Sequence, residues 1–294
     1  MRVLLVVALI LALPRRSTAE INMADSIEWM TADSDRVVVA RVATLTETKG
    51  LGQVVWAKVT FAISETLKGP NAKQVDVMVR HLTGDPPAKW KADNRELLLF
   101  LVDAKRRAIR DGECREGASC TSAYTRAPFA LRGGRWGEGD ALKLDGSAQA
   151  FTITHDVIGK RAELIAKAKA TAASKATQAF QLDLPLDSPA GRALYGGSVV
   201  FLYVPIDAAL EQAAITWIAS TDARTRAQGI EALAHFQSRA NTERLEKLLL
   251  DPATHDLTEG DRPTVRRFFV RKRAHDVLRA WGVPHTTPPI DTKP

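Results

Sequence analysis

The sequence predicts an α+β protein in which a small antiparallel β barrel or sandwich is followed by a region of repeated helices. Three observations carry this reading. In VVWAKVTFAIS, Val55, Ala57, Val59, Phe61 and Ile63 alternate with Trp56, Lys58, Thr60, Ala62 and Ser64, the period of a half-buried strand. ELLLFLV, residues 96–102, is apolar throughout, as a strand covered on both faces would be. From residue 206 the period becomes helical, with Leu210, Ala214, Trp217 and Ile218 on one face.

Taken in order, residues 1–19 read as a signal peptide. One arginine precedes eleven uninterrupted apolar residues, 3–13, too few for a membrane span of about 20. Ser17, Thr18 and Ala19 suit cleavage after Ala19, although Arg15 and Arg16 lie where positive charge hinders export, which leaves an uncleaved start as the alternative. Cleavage removes Arg2, Arg15 and Arg16, lowering the formal charge of +7 by three, to +4. So mild a balance does not by itself imply a polyanionic partner; nucleic acid is not the partner expected, and polyanion binding stands as a third possibility. No later segment is apolar enough to span a membrane, and the location expected is periplasmic or extracellular.

Residues 24–158 read as the β-rich domain. A short helix is predicted within residues 24–35, then strands at 36–45, 55–64, 75–79 and 96–102, with weaker candidates at 127–133, 141–146 and 150–154. Cys114 and Cys120, the two cysteines of the chain, flank a loop containing Gly117, Ala118 and Ser119, and an exported chain meets an oxidising compartment; a disulfide is expected. Trp56, Trp90 and Trp136 read as core or rim packing. DRVVVARV, VTFAISETLKGP and ELLLFLV together resemble, over about 80 residues, the OB-like barrel of netrin-type modules. The inhibitory function of related metalloproteinase inhibitors needs a cysteine at the mature N-terminus, where this chain has Glu20, Ile21 and Asn22.

Residues 159–205 read as a linker with an alanine- and lysine-rich helix over about 160–175, a Pro/Ser/Gly-rich connector at 183–197 and a short strand. Residues 206–283 carry four helices. The third is opened by Asn241 or Thr242 and stopped at Asp251 and Pro252; a long insertion, 252–265, separates it from the fourth, which Gly282 and Pro284 terminate. TRAQGIEAL (225–233) aligns with VRKRAHDVL (270–278) at an offset of 45, so that Arg226, Gly229, Ala232 and Leu233 match Arg271, Ala274, Val277 and Leu278. This pattern, preceded by LLLDP, resembles HEAT repeats, about two units of them. The resemblance implies that Arg226 and Arg271 are structural arginines meeting Asp222 or Asp251. Residues 284–294 read as a flexible tail, and Arg266 and Arg267 find no role.

The chain has six histidines but no HExxH, GxSxG or phosphate-binding glycine loop. His155-Asp156, His255-Asp256 and His275-Asp276 fall in unrelated settings and read as coincidence rather than a metal site. Asp33 with Asp35, and Asp183 with Asp187, read as cap and turn residues. No catalytic, cofactor or metal residues are therefore assigned. The function expected is that of an exported, non-enzymatic interaction or scaffold protein binding another protein or an envelope component, the alternative being a hydrolase with a site between the domains. As a whole the chain is similar to exported bacterial proteins with an N-terminal netrin/OB-like β domain and a C-terminal HEAT-like region.

Overall fold

The computed structural model describes residues 21–49, 54–82, 87–133, 140–185, 187–194, 199–259 and 262–292. The expected signal peptide, Trp136 and part of the Pro/Ser/Gly-rich connector lie outside these residues. The chain opens with β1 (Ile21–Asp25) and α1 (Ile27–Asp33), whose first turn is capped by Ser26 accepting from the Trp29 amide at 3.1 Å. Next come β2 (Arg36–Lys49), β3 (Val54–Lys68), β4 (Gln74–Leu82), α2 (Pro87–Ala92), β5 (Leu97–Asp103), α3 (Ala104–Arg110), β6 (Phe129–Leu131) and β7 (Ala141–Lys143).

Five of these strands close a barrel. β2, β3 and β4 form an antiparallel meander, β4 pairs in parallel with β6, β6 runs antiparallel to β5, and β5 returns to β2; β7 adds to β5. The alternation in β3 puts Val55, Ala57, Val59 and Phe61 inward. There Val59 and Phe61 meet Val38, Ala40, Val77, Leu99 and Leu101, all completely buried. Trp90 from α2 joins the same interior. The unbroken apolar run of β5 serves two cores at once. Leu97, Leu99 and Leu101 face the barrel interior, while Leu98 and Phe100 pack outward on Ile27, Met30, Leu164, Ile165 and Ala168.

Those last three residues lie on α4 (Arg161–Thr171), so the helix expected as a linker instead covers the barrel beside α1. Between barrel and helix a small ribbon forms from β8 (Ala150–Phe151) and β9 (Val157–Ile158). Beyond α4 come β10 (Ala179–Asp183), α5 (Pro189–Leu194) and β11 (Val199–Pro205). β11 is the centre of a second sheet, antiparallel to β10 and parallel to β1, so the first described strand completes the sheet of the second half. β1 contributes Ala24 to a core shared with Leu182, Leu202 and the helices that follow.

These helices are α6 (Ala208–Trp217), α7 (Ala223–Leu233), α8 (Arg239–Leu248) and α9 (Phe269–Ala280). α6 lies against α7, and α9 against both α7 and α8. Leu210, Ala214, Ile230, Leu233, Leu245, Val270, Ala274 and Leu278 are buried where they meet. Gly229 permits the close approach of α6 and α7: a Cβ there would stand 2.8 Å from the Ile218 nitrogen and 2.9 Å from the Ala214 oxygen.

Three features differ from expectation. α8 opens at Ser238, whose hydroxyl accepts from the Asn241 amide at 3.1 Å, so Asn241 is inside the helix, buried, and bonded to Glu211 and the Phe236 carbonyl. The 252–265 insertion forms a hairpin of β12 (His255–Glu259) and β13 (Arg262–Arg267), with Pro263 opposite Thr258 at a register shift, where a missing N–H is tolerated. The expected flexible tail is held through residue 292. β14 (Asp291–Thr292) pairs with β13, the Phe268 amide donates to the Ile290 carbonyl at 2.8 Å, and Arg267 meets Asp291 at 2.8 Å. Arg266 reaches Asp256 at 3.0 Å, which gives both unassigned arginines a place in the hairpin.

Candidate functional site

Among the described residues, a network of buried charge lies at the seam where β1, α1, α3, β6 and β7 meet. Arg132 follows β6 and is 2% exposed. Its Nε donates to Asp33 Oδ2 at 2.7 Å, and its Nη1 donates to Asp25 Oδ2 at 2.9 Å and lies 3.7 Å from Asp140 Oδ1. Its guanidinium also stands 5.8 Å from the Trp29 ring centre. Asp33, the last residue of α1, receives Arg110 at 3.0 Å as well as Arg106. Arg106 extends to Asp35 at 3.1 Å, and Asp35 accepts from the Asp103 amide at 2.7 Å.

Local sequence places each partner. Asp103 accepts from the Lys105 and Arg106 amides and so caps α3, setting Arg106 and Arg110 on the face toward Asp33. Lys68, at the end of β3, donates to the Thr31 and Ala32 carbonyls, each at 2.8 Å, and satisfies the C-terminal end of α1. Gly133, with φ of 81°, turns the chain after Arg132 and gives its amide to Asp140. A side chain there would collide with the Arg107 guanidinium.

Burial alone would lower the Arg132 pKa, but the Asp25, Asp140 and Asp33 carboxylates outweigh it and raise it. For Arg110 and Lys68 burial wins, and both are lowered. Four cations (Arg132, Arg110, Arg106 and Lys68) thus stand among four carboxylates (Asp25, Asp33, Asp35 and Asp140). A guanidinium stays protonated near neutral pH and so does not serve as an acid or base. The arrangement can orient and lock these segments; proton transfer would need a carboxylate released from its guanidinium partner. Sequence reading gave Asp33 and Asp35 cap and turn roles and passed over Arg132, whose partners lie 99 and 107 residues away.

The residues singled out from the sequence occupy two other places. Cys114 and Cys120 are joined in a disulfide, with Cα atoms 5.4 Å apart, and pack beside Trp56 and Tyr124. These two rings meet edge to face at 4.7 Å. The Tyr124 hydroxyl donates to Asp111 at 2.6 Å, and burial, followed by this bond, pushes its pKa up to about 12. At the helical end Arg226 grips Asp251 with two bonds of 2.7 and 3.0 Å and also donates to the Ser220 and Thr221 carbonyls. Arg271 reaches the backbone carbonyl of Asp251 at 2.5 Å rather than a carboxylate. Asp222 meets neither arginine; it caps α7 by accepting from the Thr225 amide at 2.7 Å.

The three His-Asp pairs are dispersed. His155 sits in the turn between β8 and β9 at φ of 66°, stacked on Trp217 at 5.8 Å, and burial lowers its pKa. His255 begins β12 beside Phe269, and His275 lies on α9 facing His285. Among the described residues no three metal-ligating side chains gather, and no helix is long and apolar enough to cross a membrane. Comparison with protein-family models, curated proteins and solved structures found no match.

Proposed function

We propose that the protein is exported and acts by binding, presenting an OB-like barrel joined to a two-unit HEAT-like array to another protein or to an envelope component. The disulfide and the apolar start of the chain support export. Closure of five strands with one parallel pair supports the OB-like reading. The neighbouring packing of α7 and α9, together with the Arg226–Asp251 pair, supports the HEAT-like one.

The observation that carries the binding reading is the outer face of the second sheet. Val200, Leu202 and Val204 of β11 point into the core, while the intervening Phe201 and Tyr203 are half-buried on the opposite face. Met23 of β1 lies opposite Phe201 there and is 38% exposed. Tyr203 ties this face together, its hydroxyl 3.0 Å from Gln181 Oε1 and 3.8 Å from the Met23 sulfur. Aromatic residues and methionine are enriched where proteins meet. At the nearby seam, carboxylates engaged by guanidiniums favour holding over catalysis.

A photo-crosslinking side chain placed at Tyr203 tests this in cells exporting the protein, with the exposed Lys247 as the comparison site. The reading predicts a discrete adduct at position 203 that Met23→Glu abolishes. Equal labelling at both sites, or none at 203, would reject it.

A further inference from the structure

We propose that His275 and His285 form a two-imidazole site for a borderline divalent cation of the nickel, copper or zinc class, which staples the C-terminal segment to α9. His275 Nδ1 and His285 Nε2 stand 2.7 Å apart, with the ring planes 72° from each other. The other nitrogen of His285, Nδ1, lies 2.8 Å from the Val283 carbonyl oxygen. A carbonyl only accepts, so this nitrogen carries the proton, and Nε2 is left with its lone pair toward His275. An imidazole held through its far N–H by a backbone carbonyl is the usual arrangement of a metal-ligating histidine.

Without a cation, one proton on His275 Nδ1 holds the contact. Binding replaces that N–H···N bridge by two metal–nitrogen bonds. The proton moves through solvent to His275 Nε2, so neutral histidines lose none and no electron is transferred. Metal–nitrogen bonds of about 2.0–2.1 Å place two ligands about 2.9 Å apart at a right angle and about 3.4 Å apart in a tetrahedron. The rings therefore need to open by about 0.2 Å in the first geometry and about 0.7 Å in the second, and to turn so that both lone pairs converge on the cation. Both are half-buried, leaving solvent to complete the coordination.

The surroundings hold both ligands in place. His275 belongs to α9, and the segment carrying His285 is fastened on each side. The Val283 amide donates to the Leu278 carbonyl at 3.0 Å, the Ile290 carbonyl accepts from Phe268, and Asp291 pairs with Arg267. Asp276, beside His275 in sequence, is paired with Lys272. Two neutral imidazoles select transition metals over magnesium or calcium, with copper the tightest of the series.

The test uses untagged protein in a non-coordinating buffer at pH 7.5, titrated calorimetrically with Zn²⁺ alone and with Cu²⁺ alone. Wild type is expected to take up one equivalent of either. His275→Gln and His285→Gln are each expected to weaken binding by at least about tenfold. His235→Gln, at an exposed histidine elsewhere, should bind as wild type does. Zn²⁺ should also slow hydrogen exchange at the Phe268 amide in wild type and not in folded His285→Gln. Unchanged binding in both site variants, or no saturable uptake by wild type, would overturn the site.

Discussion

The barrel half and the helical half bury charge in different ways. At the seam Arg132 holds Asp25 and Asp33 across separations of 107 and 99 residues, and with Asp140 nearby it joins the second sheet, α1 and the barrel. In the helical half Arg226 holds Asp251 across only 25 residues and fixes the turn that follows α8. A buried ion pair adds little net stability compared with an apolar replacement, yet removing one member exposes the full cost of the charge left behind. The seam therefore specifies which distant elements dock, whereas the helical pair specifies the geometry of one local connection.

The largest effect should follow from breaking the seam. Arg132→Met leaves three buried carboxylates short of their shared cation, and chemical denaturation should show a loss of about 3–5 kcal/mol. In the helical half the sensitive point is steric. Gly229→Ala forces a Cβ onto backbone atoms of α6, which cannot swing aside as a side chain could, and should cost about 2–3 kcal/mol in the same measurement.

Opening the disulfide comes next. Cys114→Ser with Cys120→Ser releases a loop of sequence separation 6, and the expected loss is about 2 kcal/mol. The Tyr124 effect shows only at high pH. Its folded pKa of about 12 lies above the value of 10.0 for an unburied tyrosine. Its contribution is thus complete below pH 10 and lost as the pH rises through 12, because the unfolded chain ionises first. Tyr124→Phe should flatten the stability profile in that window. His155 works in the opposite direction: burial lowers its pKa, so its contribution declines as the pH falls below 6.5.

The elements whose burial follows a local period were legible in the sequence. Val55, Ala57, Val59 and Phe61 announced β3, and ELLLFLV announced a strand with two covered faces. The matched spacing of Arg226 and Arg271 pointed toward Asp222 or Asp251; Arg226 meets the Asp251 carboxylate, Arg271 its carbonyl, and Asp222 caps a helix instead. The seam was not legible. Asp33 beside Ser34 and Asp35 has the local signature of a cap or turn, and its tie to Arg132 exists only after the barrel closes. The 255–267 hairpin was hidden by Pro263, which demotes a strand unless a register shift receives it. The pairing of His275 with His285 was not legible either, because it spans ten residues across the turn that ends α9 and leaves no local period.

That the seam makes the barrel and the helical half one cooperative unit is tested most directly by native-state hydrogen exchange in wild type and Arg132→Met. The amides to compare are those of β5, inside the barrel, and of α7, distant from the seam. If the seam couples the halves, the slowest amides of both elements lose protection by the same amount in the variant. Loss confined to β5, with α7 unchanged, would contradict it.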